Sequence, residues 1–170
     1  AVVLAVFAWL RHRGLEDALF VVGPPSCFGP WKAEYEATLG HVPSYDILAG
    51  GDIEDRRARY LVNRDTARDL YLTTFNTLQR DEAIVRNLLE RQGVRFLLVV
   101  DEAHYIKRVD GAWATAVLNI ARGAQRRCVL TGTPFPRRFT DGFNLFDLLW
   151  PEAPPIPSVD KTRLEVLSEQ

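Results

Sequence analysis

The sequence predicts an α/β domain built on a mostly parallel β-sheet, and three observations predict it. Short runs rich in Val, Leu, Phe and Ile at residues 18–22, 45–49, 70–73, 95–100 and 127–130 have the length of strands. Helix-like stretches at 31–39, 53–63, 82–92 and 111–122 alternate with them, the pattern of parallel strands joined by right-handed crossovers. The fourth run contains LLVV, apolar at every step, as a strand covered on both faces must be. A chain of 170 residues amounts to about one domain and can bury a core. Its 47% hydrophobic and 25% charged residues are the proportions of a soluble globular domain, which excludes a disordered segment and a membrane bundle.

Taken in order, the opening AVVLAVFAWL is half the roughly 20 residues that a membrane-spanning helix needs. Its positive charge, Arg11 to Arg13, follows the apolar run instead of preceding it, so it is no signal peptide and reads as a buried helix. The chain starts inside this apolar element and contains no methionine, which we read as part of a longer polypeptide. The arginine-rich residues 56–68 are balanced by acids and predict a solvated helix face. Over 82–92, Ile84, Val85, Leu88 and Leu89 share one helical face, with Asp81 placed to cap the N-terminus and Gly93 to end it. Pro151, Pro154, Pro155 and Pro157 stiffen the chain. The division predicted is therefore a domain over residues 1–150 and a proline-rich linker and tail over 151–170, whose last ten residues could pack back or lead away.

In a parallel sheet of this kind ligand chemistry gathers in loops at the carboxyl ends of the strands. Those loops are residues 23–30, 73–77, 101–107 and 131–138. The strongest signal is VVDEAHYIKR at 99–108, where an apolar strand ends in two carboxylates. Asp101 is placed to hold magnesium, a hard cation that prefers one or two carboxylates plus phosphate oxygens. Glu102 stands one step further, where a carboxylate can orient and deprotonate water. His104 could hydrogen-bond towards another loop and sense phosphate. A lone acidic pair reads better as a plain helix N-terminus, where the dipole favours Asp and Glu. The second signal changes that: LTGTP at 130–134 follows another apolar strand about one crossover unit later. Its Thr131 and Thr133 hydroxyls flank a flexible Gly132.

Both signals, in this order, resemble the first RecA-like lobe of superfamily 2 helicases, and within them the Swi/Snf-like DNA translocases. VVDEAH resembles motif II and LTGTP motif III. GPPSCFGPWKAEYE at 23–36 is similar to motif Ia, and YLTTFNTLQRD at 71–81 to the motif after it. The resemblance covers residues 1–150. It implies a three-layer RecA-like (P-loop NTPase-type) α/β domain with a mostly parallel central sheet, using ATP and Mg2+. Asp101 would be the metal ligand, Glu102 and His104 would join it in catalysis, and Thr131, Gly132 and Thr133 would couple nucleotide state to grip. Pro25, Ser26, Trp31, Lys32, Thr73, Thr74, Phe75 and Lys107 would meet a nucleic-acid backbone, which positions a protein without reading sequence. The partners implied are duplex DNA and a second RecA-like lobe of the same polypeptide, with no membrane. The compartment would be bacterial cytoplasm or, in a eukaryote, the nucleus.

Two departures stand out. Phe135, Pro136, Arg137 and Arg138 replace the polar, asparagine-containing stretch that usually follows motif III, and no GxxxxGK[ST] phosphate loop occurs in the 170 residues. The chain is thus expected to begin just after that loop and to be inactive as an ATPase alone. The formal charge is −1, so contact with nucleic acid must come from a local patch; residues 111–140 offer Arg122, Arg126, Arg127, Arg137 and Arg138, which equally suit a solvated face. Cys27 and Cys128 form no disulfide framework, which fits a reducing compartment; Cys128 reads as core and Cys27 as exposed. His12 and His41 read as loop histidines, and Trp9, Trp113 and Trp150 as core or lobe-packing aromatics. Two alternatives remain at this point: an RNA- or DNA-unwinding DEAH-type helicase, and a degenerate, non-catalytic nucleic-acid-binding or scaffold module.

Overall fold

The computed structural model describes residues 1–91, 93–108, 111–133, 139–157, 160, 161 and 164. Elements follow one another as α1 (Val2–His12), β1 (Ala18–Val22), α2 (Phe28–Leu39), β2 (Tyr45–Leu48), α3 (Ile53–Tyr60), β3 (Leu70–Thr73), α4 (Phe75–Glu90), β4 (Phe96–Val100), α5 (Ala112–Ala121), β5 (Arg126–Val129) and α6 (Phe143–Leu149). The five strands form one sheet in the order β2-β3-β1-β4-β5. Every pairing is parallel.

Period-two geometry divides each central strand between two cores. Leu19 and Val21 of β1, with Leu97 and Val99 of β4, meet Leu4, Phe7 and Leu10 of α1 and Phe28, Trp31 and Tyr35 of α2. Their neighbours Phe20, Val22, Leu98 and Val100 point the other way, against Leu78, Val85 and Leu88 of α4, Val117 and Ile120 of α5, and Leu145 and Leu148 of α6. The result is three layers, helix on sheet on helix. β1 and β4 are buried at all five positions, as LLVV required, whereas the edge strands β2 and β5 are only partly covered.

Helix boundaries depart from the sequence reading where a cap was misjudged. α4 begins at Phe75, not at residue 82, because the Thr74 hydroxyl accepts a hydrogen bond from the Thr77 amide at 3.1 Å and caps the helix. Phe75, Leu78, Val85 and Leu89 then continue one apolar face. Asp81 is no cap; it lies inside α4, buried, and takes two hydrogen bonds from Arg56 at 2.6 and 2.9 Å and one from the Tyr60 hydroxyl at 2.8 Å. Gly93 lacks the left-handed conformation of a terminating glycine, and Arg91 ends the helix in extended backbone. Nor is the segment 56–68 a purely solvated face: Arg56 is 4% exposed, and its guanidinium also donates to the carbonyl oxygens of Gly50, Gly51 and Asp52. One buried cation therefore ties the turn after β2 to both α3 and α4.

α1 also differs from the expectation of a buried helix. It forms an outer layer, so Leu4, Phe7 and Leu10 are buried while Val2, Val6 and Trp9 face outward, Trp9 at 54% exposure. Trp150 (51%) and Trp113 (36%) are likewise surface residues and not core. At the other end, Lys161 folds back onto α6, contacting Asp147 and lying over the Phe143 ring.

The Arg56–Asp81 pair makes a prediction for stability. Removing one partner of a buried pair strands the other charge, at about 3 kcal/mol, so Asp81→Ala and Arg56→Ala each lower the urea-unfolding free energy by that amount. The pH dependence follows from the carboxyl. Burial pushes the Asp81 carboxyl up, but the bonds from Arg56 and Tyr60 outweigh burial and hold it below its ordinary value. A depressed acid contributes its stability above the unfolded value of about 3.9 and loses it as pH falls through the lower folded value. Wild-type urea midpoints therefore drop on acidification below about pH 4, and drop less in Asp81→Ala.

Candidate nucleotide and nucleic-acid site

The sheet delivers four loops to one rim. Gly23 N donates to Thr73 O at 3.0 Å, Asp101 N to Val22 O at 2.8 Å and Leu130 N to Val100 O at 2.9 Å, so the ends of β3, β1, β4 and β5 lie level. The chain leaves β1 towards α2 on one face and β4 towards α5 on the other. A crevice opens where neighbouring strands send their connections to opposite sides. There lies a cleft of about 300 Å3 lined by Val2, Leu4, Pro30, Trp31, Glu34, Asp101 and Leu130.

Asp101 stands at the first position after β4, half-buried, with both carboxylate oxygens engaged. The Glu102 amide donates to Oδ1 at 2.9 Å and the Trp31 indole N–H donates to Oδ2 at 2.8 Å. The sequence placed Trp31 among nucleic-acid contacts; it is instead 7% exposed and directed at the motif II carboxylate. Gly23 makes the approach possible, since a Cβ there would fall 2.9 Å from Cys27 Sγ and 3.2 Å from Asp101 Cβ. Cys27 is half-buried, not exposed; burial first, then the Asp101 charge, push its thiol up to about 12.

Glu102 is the one non-glycine residue with positive φ among the described residues, at φ 50° and ψ 46°. A left-handed L-residue costs about 1–2 kcal/mol, and this one is paid at a solvent-exposed carboxylate of the candidate site. Nothing in the sequence signalled the strain. His104 follows in the 3₁₀ turn Ala103–Ile106, and its Nδ1 comes within 3.1 Å of Glu102 Oε2 without hydrogen-bond geometry. Its ring stacks on Tyr105, centroids 4.5 Å apart. The expected bond to another loop is made by the backbone instead: Ala103 N donates to Leu130 O at 2.9 Å and joins the turns after β4 and β5. Beyond Leu130, the Thr131 hydroxyl accepts a bond from Thr133 N at 3.2 Å across Gly132.

The remaining site residues divide. Pro25 and Ser26 are exposed on the 3₁₀ turn Pro25–Cys27, and Thr74 lies at the rim as the cap of α4. Thr73 is fully buried, and its hydroxyl donates to Leu48 O at 2.7 Å, so its side chain is not offered to a strand. Phe75 is buried against Trp113 and Tyr105. Lys32 sets its ammonium over the Tyr45 ring at 4.6 Å, at the start of β2. Lys107 is half-exposed after the Ala103–Ile106 turn.

Of the arginine-rich segment, Arg126 and Arg127 do not lie at this rim. Arg126 binds Glu16 and Arg127 binds the carbonyls of Ala121 and Ala124, both at the start of β5 and so at the opposite end of the sheet. Arg137 and Arg138, like Phe135 and Pro136, lie outside the described residues.

Comparison with known proteins decides the lineage. The family described as the SNF2-related domain matches residues 2–154. The chain belongs to the SNF2-related domain family. Among its relatives, the probable ATP-dependent DNA helicase CHR12 of Arabidopsis thaliana is 24% identical over 143 residues, covering 84% of this chain and 12% of that protein. Human lymphoid-specific helicase is 27% identical over 155 residues, covering 88% of this chain and 17% of its own length. This SNF2-related domain thus spans less than a fifth of these curated relatives. The SWI2/SNF2 ATPase core of Sulfolobus solfataricus, solved in complex with dsDNA, superposes with a TM-score of 0.67 at 21% identity, over 98% of this chain and 35% of that one. The fold is therefore that of the first RecA-like lobe, the fold class the sequence implied.

Three substitutions test the backbone and packing around the carboxylates. Glu102→Gly removes the left-handed penalty and raises the unfolding free energy by about 1 kcal/mol; a loss measured in urea would show that Glu102 is not strained. Gly23→Ala costs about 1–3 kcal/mol through overpacking, and Cys27→Ala in the same chain restores part of it, because the tightest contact is with Cys27 Sγ.

Proposed function

We propose that this SNF2-related domain is the nucleotide-binding lobe of an ATP-dependent DNA translocase, and that it works with a second RecA-like lobe. The observation that carries the reading is that Asp101, Glu102 and the Thr131–Gly132–Thr133 turn share one rim, tied by the Ala103 to Leu130 backbone bond, with Asp101 and Leu130 lining the cleft there. Family membership and relatives named as ATP-dependent helicases support ATP as the nucleotide. The structural neighbour, solved in complex with dsDNA, supports duplex DNA as the track.

The residues fit magnesium bound together with a nucleotide. No group of three or more His, Cys, Asp or Glu among the described residues could hold a metal unaided. Asp101 is a single carboxylate beside an open cleft, and magnesium commonly takes one or two carboxylates and completes its shell with waters and phosphate oxygens. Bound there, the ion would neutralise phosphate charge. Asp101 offers the lone pairs left over by Trp31 and Glu102 N–H. Glu102, exposed and held forward by its left-handed backbone, orients a water and accepts its proton. His104 lies beside Glu102 and can stabilise its charge. The first turn of α1 has no side-chain cap and lines the same cleft, so its backbone N–H groups favour an anion. Movement along DNA would come from Pro25, Ser26 and Thr74 meeting one strand while the Thr131–Thr133 turn responds to the nucleotide. Contacts of this kind hold a backbone and ignore base identity.

The test is DNA-stimulated phosphate release. In the two-lobed motor, duplex DNA stimulates ATP hydrolysis more than RNA does, and Glu102→Gln lowers kcat by about 100-fold or more while ATP binding persists. Stimulation by RNA equal to that by DNA points to an unwinding RNA helicase instead, and full activity in Glu102→Gln removes the assignment of the base. The 170-residue chain, which carries no GxxxxGK[ST] sequence, releases no phosphate by itself.

A further inference from the structure

Trp31 joins two regions that are 70 residues apart in the chain. It sits at the start of α2, immediately after the exposed Pro25–Cys27 turn, and its indole N–H reaches the Asp101 carboxylate at 2.8 Å. A buried indole needs an acceptor, and this one takes a carboxylate at the mouth of the cleft. Together with the Glu102 amide on the other oxygen, it fixes the rotation of the Asp101 carboxylate. α2 is anchored one turn further on: Tyr35 is fully buried against Phe7, and its hydroxyl accepts a bond from Arg11 at 3.0 Å. The end of α2 that carries Trp31 is thus the end next to the turn proposed to meet DNA, while the end beyond it is held.

We propose that Trp31 is a positioning residue that couples strand engagement at Pro25 and Ser26 to the magnesium-dependent part of nucleotide affinity, by setting the orientation of Asp101. The coupling rests on Asp101 being the magnesium carboxylate, as proposed above. A displacement of the first turn of α2 moves the indole donor and with it the carboxylate. Asp101 needs no displacement of its own strand, which is bonded on both sides.

Two measurements test it. In the wild-type chain the Trp31 indole N–H exchanges slowly with solvent, and Asp101→Ala speeds that exchange at least about tenfold; unchanged exchange overturns the proposal without any change to Trp31. In the motor with both lobes, binding of a fluorescent ADP is measured with and without Mg2+, and with and without duplex DNA. Trp31→Phe keeps an aromatic side chain and removes the donor, so it weakens magnesium-dependent binding about tenfold, leaves magnesium-free binding unchanged and abolishes the DNA-induced change. Equal losses with and without magnesium would mean that Trp31 only packs, and wild-type behaviour would mean that the bond is idle; either overturns the inference. Asp101→Ala separates the two levels: if it leaves the magnesium dependence intact, Asp101 is not the metal ligand and the reading of the site fails independently of Trp31.

Discussion

Backbone hydrogen bonds hold β4 between β1 and β5, with Val100 level with Val22 on one side and Val129 on the other. That register leaves the next residues little freedom. Once Val100 is the last paired residue, Asp101 must emerge beside Gly23 and Leu130, and Glu102 must turn immediately into the Ala103–Ile106 segment. A one-residue slip of β4 would exchange its two faces, sending Leu98 and Val100 to the α1–α2 side and Leu97 and Val99 to the α4–α5 side. Because both faces are apolar, the slip is resisted less by polarity than by shape. Phe20, Tyr71 and Phe96 form a contiguous ring cluster between the strands on one face, with centroids 5.5 to 6.3 Å apart, whereas on the other face the ring contact of Phe7 with Tyr35 lies between helices.

What the sequence made legible is what periodicity and strand ends encode. β1 and β3 fall on the residues expected, because each is a short apolar run closed by Gly23 or by the Thr73–Thr74 pair. The alternation of strands and helices gave a parallel sheet, and the apolar run before Asp101 gave a central strand. Less legible was everything that depends on a partner distant in sequence. Asp81 looks like a helix cap until Arg56 and Tyr60 are brought against it. Arg56 looks solvated because its acceptors, three carbonyls and one carboxylate, come from a turn and from another helix. Thr73 and Thr74 look equivalent in a TT pair, yet the pleat sends the first into the core, to Leu48, and leaves the second at the rim. The residue within hydrogen-bond reach of Asp101 was within the quoted motifs but not deducible from them, since Trp31 approaches only after α2 has folded over Val21 and Val99.

The candidate site combines a strained residue with a crowded one. Glu102 adopts the conformation that glycine favours, while the glycine, Gly23, stands where a side chain would strike Cys27 and Asp101. Glycine would relieve the first position, whereas no side chain fits the second. Backbone strain at one position and absence of a side chain at its neighbour together aim one carboxylate outward and lock the other in place. The domain tolerates this because β1 and β4 are buried at every position and overdetermine the turn.

The two rims of the sheet are used differently, and this separation explains how a single layer of strands can be both rigid and reactive. At the rim where the strands begin, charged groups are consumed by one another: Arg95 binds Asp17 at 2.8 Å, Arg126 binds the buried Glu16 at 2.9 Å, and Arg11 binds Asp69 at 2.7 Å. Each of these pairs joins an element to one distant in sequence, so the bonds clamp the fold even where a single exposed pair would contribute little. At the rim where the strands end, backbone amides and carbonyls link Gly23 to Thr73, Asp101 to Val22 and Ala103 to Leu130, and Thr73 and Trp31 add side-chain bonds to Leu48 and Asp101. Main-chain links leave side chains available. The carboxylate of Glu102 and the hydroxyl of Ser26 can therefore turn to a ligand without dismantling what holds the sheet together, while Arg126 and Arg127 of the basic segment are already engaged at the far end.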